Sequence, residues 1–146
     1  MRVKEYLKRL FYLEKEAECL KRERETLLAS TFKIPQLSDM KVQSTPTKTI
    51  EDTYIAIAEY SEAISKKEEE LLRQKVEISR MIDDLEDANQ RMVLRYRYTI
   101  GFSWEEVIRV MNYSEPSVHR IHSQALQAFE KYHKEYLDEL FKHESK

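Results

Sequence analysis

Apolar residues recur at three- and four-residue steps along most of this chain. Positions 3, 6, 10, 13, 17, 20, 24 and 27 are Val, Tyr, Leu, Leu, Ala, Leu, Arg and Leu, a heptad stripe with one polar break at Arg24. Phe11 and Leu28 widen it, and the spacing predicts a first long helix that frays near Ser30. Positions 50, 57, 64, 71, 78 and 85 are Ile, Ile, Ile, Leu, Ile and Leu. The second edge of that seam, 54, 61, 68, 75 and 82, is Tyr, Ser, Glu, Lys and Ile, so it is broken by polar residues. These positions predict a second long helix, with Leu72 and Val76 marking a drift of the stripe around it. Thr49 is its expected N-cap, followed by Glu51 and Asp52 in the first turn, where acids suit the helix dipole. At about 1.5 Å per residue the first helix is expected to be roughly 40 Å long and the second about 55–60 Å.

Between the two lies STFKIPQLSDMKVQSTPTKT. Pro35, Pro46 and the Ser/Thr density predict a loop over 30–49. Its apolar Phe32, Ile34, Leu37, Met40 and Val42 predict partial packing on its neighbours. The simplest arrangement is an antiparallel, coiled-coil-like hairpin over 1–88.

The pattern then shortens. A helix containing Gln90 to Thr99 carries Met92, Val93, Tyr96 and Ile100 on one face, with Arg91, Arg95 and Arg97 mostly elsewhere. Gly101 is placed to stop it in the left-handed conformation. Ser103 and Glu106 match a capping box. Trp104, Val107, Ile108 and Met111 then define one buried face of a short helix. Asn112 is a left-handed stop, Ser114 a cap, and Pro116 is tolerated in the first turn of the next helix. There Val118, Ile121, His122, Ala125, Leu126 and Phe129 form the inner stripe. Ser117, His119, Arg120, Ser123 and Gln124 face outward with Pro116. The apolar spacing continues through Tyr132, His133, Tyr136, Leu137, Leu140 and Phe141, which predicts one extended last helix reaching about residue 142. The stripe is expected to pack within the protein or along a homodimer seam. The fold class is therefore all-α, with a long helical hairpin over 1–88 and a helix-turn-helix domain over 89–146.

Two capped helices joined by a three-residue turn are the sequence form of a helix-turn-helix, whose second helix usually enters the DNA major groove. The outward residues fit base edges and phosphates: Arg suits guanine, Gln suits adenine, and Ser suits either. The same hairpin also occurs in ordinary helical bundles.

Composition supports the helical reading and narrows the chemistry. The 146 residues include one glycine and three prolines, and 36% are charged. The formal charge is −2, but it is unevenly placed. Residues 1–29 carry eight Lys/Arg and six Asp/Glu, and 30–49 carry three and one. Residues 50–90 carry five and twelve, and 91–146 carry nine and eight. DNA-binding domains are commonly more basic than this last segment, so a second anchor for DNA binding is expected. No run approaches the roughly 20 apolar residues that span a bilayer, the N-terminus carries charges throughout, and no membrane partner is expected. The single cysteine, Cys19, is read as a small buried residue, and a cytoplasmic setting in a bacterial host follows. His119, His122 and Glu115 are too few for a closed zinc site. One glycine excludes a Gly-rich phosphate loop, and no nucleophile motif is visible. Neither an enzyme, a metal nor a cofactor is expected.

The stretch QRMVLRYRYTIGFSWEEVIRVMNYSEPSVHRIHSQALQAF resembles region four of bacterial sigma factors. VLRYRY is similar to the helix before the motif, GFSWEEVIRVMNYS to its first helix and turn, and EPSVHRIHSQAL to its recognition helix. KEYLKRLFYLEKEAECLKRERETL and LSDMKVQS resemble small phage-encoded proteins of Gram-positive hosts, and the organisation is similar to that of late-gene regulators of the ArpU and RinA type. The resemblance implies binding of double-stranded promoter DNA through Ser117, His119, Arg120, Ser123 and Gln124. It also implies RNA polymerase as a partner, and a role in transcription of phage or prophage late genes. The recognition helix has one Arg where many sigma factors carry several basic residues, and the regions that melt the promoter have no counterpart. An accessory activator fits better than a complete sigma factor. A small terminase subunit reading packaging DNA and a coiled-coil adaptor without DNA are the alternatives.

Overall fold

The computed structural model describes the backbone of residues 1–37 and 46–145 and the side chains of 1–31 and 50–145. Among these residues every regular element is helical, so the protein is all-α. Helix α1 spans Arg2–Leu37, α2 Pro46–Asp83 and α3 Ala88–Leu94. The chain continues directly from α3 into a π-helical stretch, Arg95–Ile100. Helices α4 (Trp104–Met111), α5 (Glu115–Tyr132) and α6 (Lys134–Glu144) follow.

Helix α1 does not stop near Ser30 but reaches Leu37. Pro35 therefore falls in its last turn, where the one amide bond it removes, to the carbonyl of residue 31, interrupts the ladder only two residues before the helix ends. Helix α2 begins at Pro46, so Thr49 is not its N-cap, and Glu51 and Asp52 lie beyond its first turn. Proline suits a first helical position because the amide it lacks has no partner there. The two helices are thus nearly equal, 36 and 38 residues, and α2 does not greatly outrun α1. The expected packing of Phe32, Ile34, Leu37, Met40 and Val42 lies outside the described side chains.

Contacts gather Met1–Tyr12 with Leu72–Lys146, and Leu13–Leu71 separately. The division expected at 88/89 follows chain order; the contact grouping draws its boundary through α1 and α2 instead.

In the unit Leu13–Leu71, Ala17 and Ile64 are buried. Arg24, the polar break in the first stripe, donates to Ser61 Oγ at 3.1 Å, and Ser61 is a polar break in the second. Two interruptions in the apolar pattern therefore meet each other. Lys21 pairs with Glu68 and Glu16 with Lys67, each at 2.7 Å. The first joins a base of α1 to an acid of α2, and the second an acid of α1 to a base of α2. Both pairs are exposed and contribute modestly. Cys19 is exposed, not buried, because it stands beside the stripe and not on it.

In the other unit, Val3, Leu7, Leu10, Ile78, Ile82, Leu85, Val93, Leu94, Val107, Val118, Phe129 and Leu137 are sealed from water. Leu7, and not the exposed Phe11, widens the α1 stripe here. Leu72 and Val76 are exposed; the buried face of α2 continues through Ile78, Met81 and Ile82 without drifting toward them. Tyr6 lies against Phe129 and Tyr136, with ring centroids 6.3 and 6.1 Å away. Arg2 pairs with Glu130 and Asp138, and Arg9 with Glu144. Tyr136 Oη donates to Glu77 at 2.6 Å. The aromatic tail therefore packs within the protein, on the start of α1 and the end of α2.

The last helix is not continuous. His133 leaves helical geometry at φ −117°, ψ 25°, which separates α5 from α6. Its ring Nε2 is 2.8 Å from the Met81 carbonyl and 3.5 Å from Asp84. The break turns α6 onto α1 and α2, where Leu137 is buried.

Candidate nucleic-acid interface

The local signals from Asp87 to Ser114 set the positions of α3, α4 and α5. Asp87 caps α3 by accepting from the Gln90 amide at 2.9 Å. Gly101 ends the π-helical stretch at φ +90°. Its amide and that of Phe102 both turn back to the Tyr96 carbonyl. Ser103 and Glu106 form the expected capping box: the Glu106 amide donates to Ser103 Oγ, and the Ser103 amide donates to Glu106 Oε2. Asn112 closes α4 in the left-handed conformation at φ +58°, and Ser114 caps α5 by accepting from the Ser117 amide. Residues 112–114 are the whole connection between α4 and α5.

The buried face of α3 differs from expectation. Val93, Leu94 and Tyr98 are buried, whereas Met92 and Ile100 are exposed. A π turn bonds at i→i+5 and is one residue wider than an α turn. It therefore moves the inward position from Tyr96 and Ile100 to Tyr98. Tyr96 stacks on Phe102 instead, with centroids 5.8 Å apart.

The inner stripe of α5 follows the spacing except at Ile121, which is only half-buried. Val118, His122, Ala125, Leu126 and Phe129 are buried. His122 is only 6% exposed. Its Nε2 is 2.8 Å from Tyr98 Oη, and the Trp104 ring meets its edge at 4.6 Å. Burial, aided by the positive charges of Lys4, His119 and Arg97, pushes the His122 pKa down to about 4. It is a neutral core histidine, and burial likewise raises its Tyr98 partner to about 12.

The five outward residues of α5 fall into two groups. Arg120, Ser123 and Gln124 are exposed. Ser117 is half-buried and accepts from Ser114 Oγ at 2.8 Å, so it belongs to the cap. His119 is half-buried against Trp104, with centroids 4.8 Å apart, and lies 3.8 Å from Glu115. Trp104 is itself half-buried, with His119 and His122 beside it and the Arg97 guanidinium 4.8 Å from its ring centre.

The basic residues of α3 and the π-helical stretch are engaged inside the unit. Arg91 donates to the carbonyls of Leu85 and Glu86. Arg95 donates to the Ser79 carbonyl and pairs with Asp83. Arg97 donates to the Phe102 carbonyl while stacked on Trp104. Sequence spacing placed these cations off the apolar face but could not show their partners, which depend on side-chain direction. Arg109 on α4 and Arg120 on α5 are exposed, and among the described residues neither has a hydrogen-bond or ion-pair partner.

Taken together, the surface is a capped helix pair whose second helix presents Arg120, Ser123 and Gln124 to solvent over a buried underside. Among the described residues no helix is long and apolar enough to cross a membrane. Comparison with the curated proteins and with the solved structures gives no match in either. The model of one family, described as a protein of unknown function (DUF1492), matches residues 31–130, from the last turns of α1 through α5. That is more than half of the chain, which therefore belongs to the DUF1492 family.

Proposed function

We propose that this protein is a DNA-binding transcriptional regulator that reads promoter DNA with the outward face of α5. In this reading it acts with bacterial RNA polymerase at phage late promoters. The observation that carries the reading is the exposure of Arg120, Ser123 and Gln124 directly after the short capped turn, above the buried Val118, His122, Ala125 and Leu126. Those side chains offer the donors and acceptors that major-groove edges take, and the helix ahead of them is held by caps at both ends. The resemblance of residues 90–129 to sigma region four supports the same face. Ser117 and His119 contribute by supporting it: Ser117 within the cap, and His119 against Trp104.

The polymerase belongs to the proposal because the free positive charge is small. With Arg91, Arg95 and Arg97 engaged internally, the contribution of phosphate neutralisation is limited, and a second protein supplies the missing anchor. The test is to sequence genomic fragments retained by the purified protein, with and without RNA polymerase. Enrichment of promoter fragments, strengthened by polymerase, is the expected result. Enrichment of a packaging site would assign the chain to small terminase subunits. No retention of DNA at low salt would overturn the reading.

A further inference from the structure

The first turns of α1 are anchored in the core by Val3, Tyr6, Leu7 and Leu10. They lie beside α5: Arg2 reaches Glu130 at 3.2 Å, and the Tyr6 ring is 6.3 Å from that of Phe129. Lys4, two residues after Arg2, acts on another part of the same helix. Its positive charge, with those of His119 and Arg97, adds to burial in lowering the His122 pKa. His122 stands about two turns before Glu130 and directly before Ser123. The start of α1 therefore runs past α5 with Lys4 on the side of Ser123 and the reading end of the helix.

Lys4, Lys8 and Tyr12 follow at four-residue steps, so they line one side of α1. All three are exposed. Among the described residues neither lysine has a hydrogen-bond or ion-pair partner, and Tyr12 touches Phe11 by its ring while its hydroxyl has no partner. The acids around this line leave it charged. Glu130 pairs with Arg2, and Glu5, one turn before Lys8, pairs with neither lysine. We propose that Lys4, Lys8 and the Tyr12 hydroxyl hold the phosphate backbone of the DNA whose bases α5 reads. This rests on the reading of α5 as a DNA-contacting helix. Lysine and tyrosine side chains donate to phosphate oxygens, and such contacts fix register without carrying sequence information. The N-terminal helix thus supplies an anchor within the chain, beside the one that polymerase provides.

The test is a titration of the full chain, over a range of salt, against a labelled duplex taken from the retained promoter fragments and a shuffled duplex of the same composition. The double variant K4Q/K8Q is expected to bind both duplexes more weakly, roughly three- to tenfold per lysine at low salt, and to make the log–log salt slope shallower by about 2. Tyr12→Phe should weaken both duplexes slightly and leave the slope unchanged. Arg120→Ala should act chiefly on the promoter duplex. Lys142→Gln removes the same charge from α6, which meets α1 on the side of Arg2 and Arg9, and should bind as wild type does. Circular dichroism should be unchanged throughout, because the substituted side chains are exposed. A K4Q/K8Q variant with wild-type affinity and slope, while Arg120→Ala still loses promoter binding, would sink the α1 contact and leave the α5 reading standing. A Lys142→Gln variant as weak as either single lysine variant would also sink it, by reducing the effect to net charge. Wild type that holds neither duplex at low salt would remove both.

Discussion

Two residues apart on α5, Arg120 stands in solvent and His122 is sealed in the core. Arg120→Ala is expected to weaken binding to the selected DNA by about 1–3 kcal/mol, the usual range for a bidentate base contact, with helix content and melting temperature nearly unchanged. A binding isotherm identical to wild type would remove Arg120 from the reading face. His122 predicts a pH effect. Its folded pKa of about 4 lies below the unfolded value of about 6.5. The unfolded chain therefore binds the proton first as the pH falls. His122 leaves stability intact above about pH 6.5 and costs about 2–3 kcal/mol as the pH drops through 4. His122→Gln, which keeps a polar partner for Tyr98, should flatten the loss of melting temperature between pH 7 and pH 4.5. Equal losses in both proteins would place the acid sensitivity elsewhere. His122 was legible in the sequence as an inward residue by its spacing. The engagement of Arg91, Arg95 and Arg97 was not, since the carbonyls they reach become available only once α2 ends at Asp83 and the π-helical stretch turns at Gly101.

Among the elements, those whose ends are made by short-range chemistry were readable residue by residue. Ser103 with Glu106, Asn112, Ser114 and Gly101 all act as their types and offsets predict. Ser103→Ala is expected to cost about 1 kcal/mol through loss of the cap. Gly101→Ala should cost a similar amount, about 1–2 kcal/mol, from φ +90° alone, since an added Cβ meets nothing within 4 Å. Thermal melts of the two variants check both values, and a neutral Gly101→Ala would show that the turn relaxes. Three other features had no such local signal. The π turn after Leu94 carries no special residue type, so the shift of the inward position to Tyr98 could not be read from an α-helical period. The break between α5 and α6 has neither glycine nor proline. It occurs at His133, whose ring reaches the Met81 carbonyl 52 residues away in sequence. Apolar periodicity reads straight through such a site because Phe129 and Leu137 are buried on both sides of it. Pro35 and Pro46 were read correctly as boundary residues, but at the wrong distance: each sits inside a helix end and not beyond it.

At the scale of the whole molecule, net charge and connectivity decide how the α5 face is used. The formal charge of −2 and the internal engagement of Arg91, Arg95 and Arg97 leave few cations for phosphate. DNA affinity is therefore expected to fall with salt at a log–log slope of only about −2 to −4 per chain. A slope steeper than about −6 in a fluorescence titration would contradict this. The all-α class was plain from the heptad stripes and the caps. The grouping of Met1–Tyr12 with the C-terminal helices was not, because Val3, Tyr6 and Leu10 satisfy a heptad whatever helix they meet. That grouping has a consequence for how the protein is made. Arg2 and Arg9 find their acids at Glu130, Asp138 and Glu144, more than a hundred residues downstream. As the ribosome extends the chain, the first three turns of α1 emerge well before the partners they pair with downstream. Loop closure over that length is slow, so the nascent chain carries Val3, Tyr6, Leu7 and Leu10 without their final cover until α6 is complete. Chains arrested before residue 134 should exchange the amides of residues 3–10 much faster than the full chain. Equal protection in both would show that the elements before α6 are enough to shelter them.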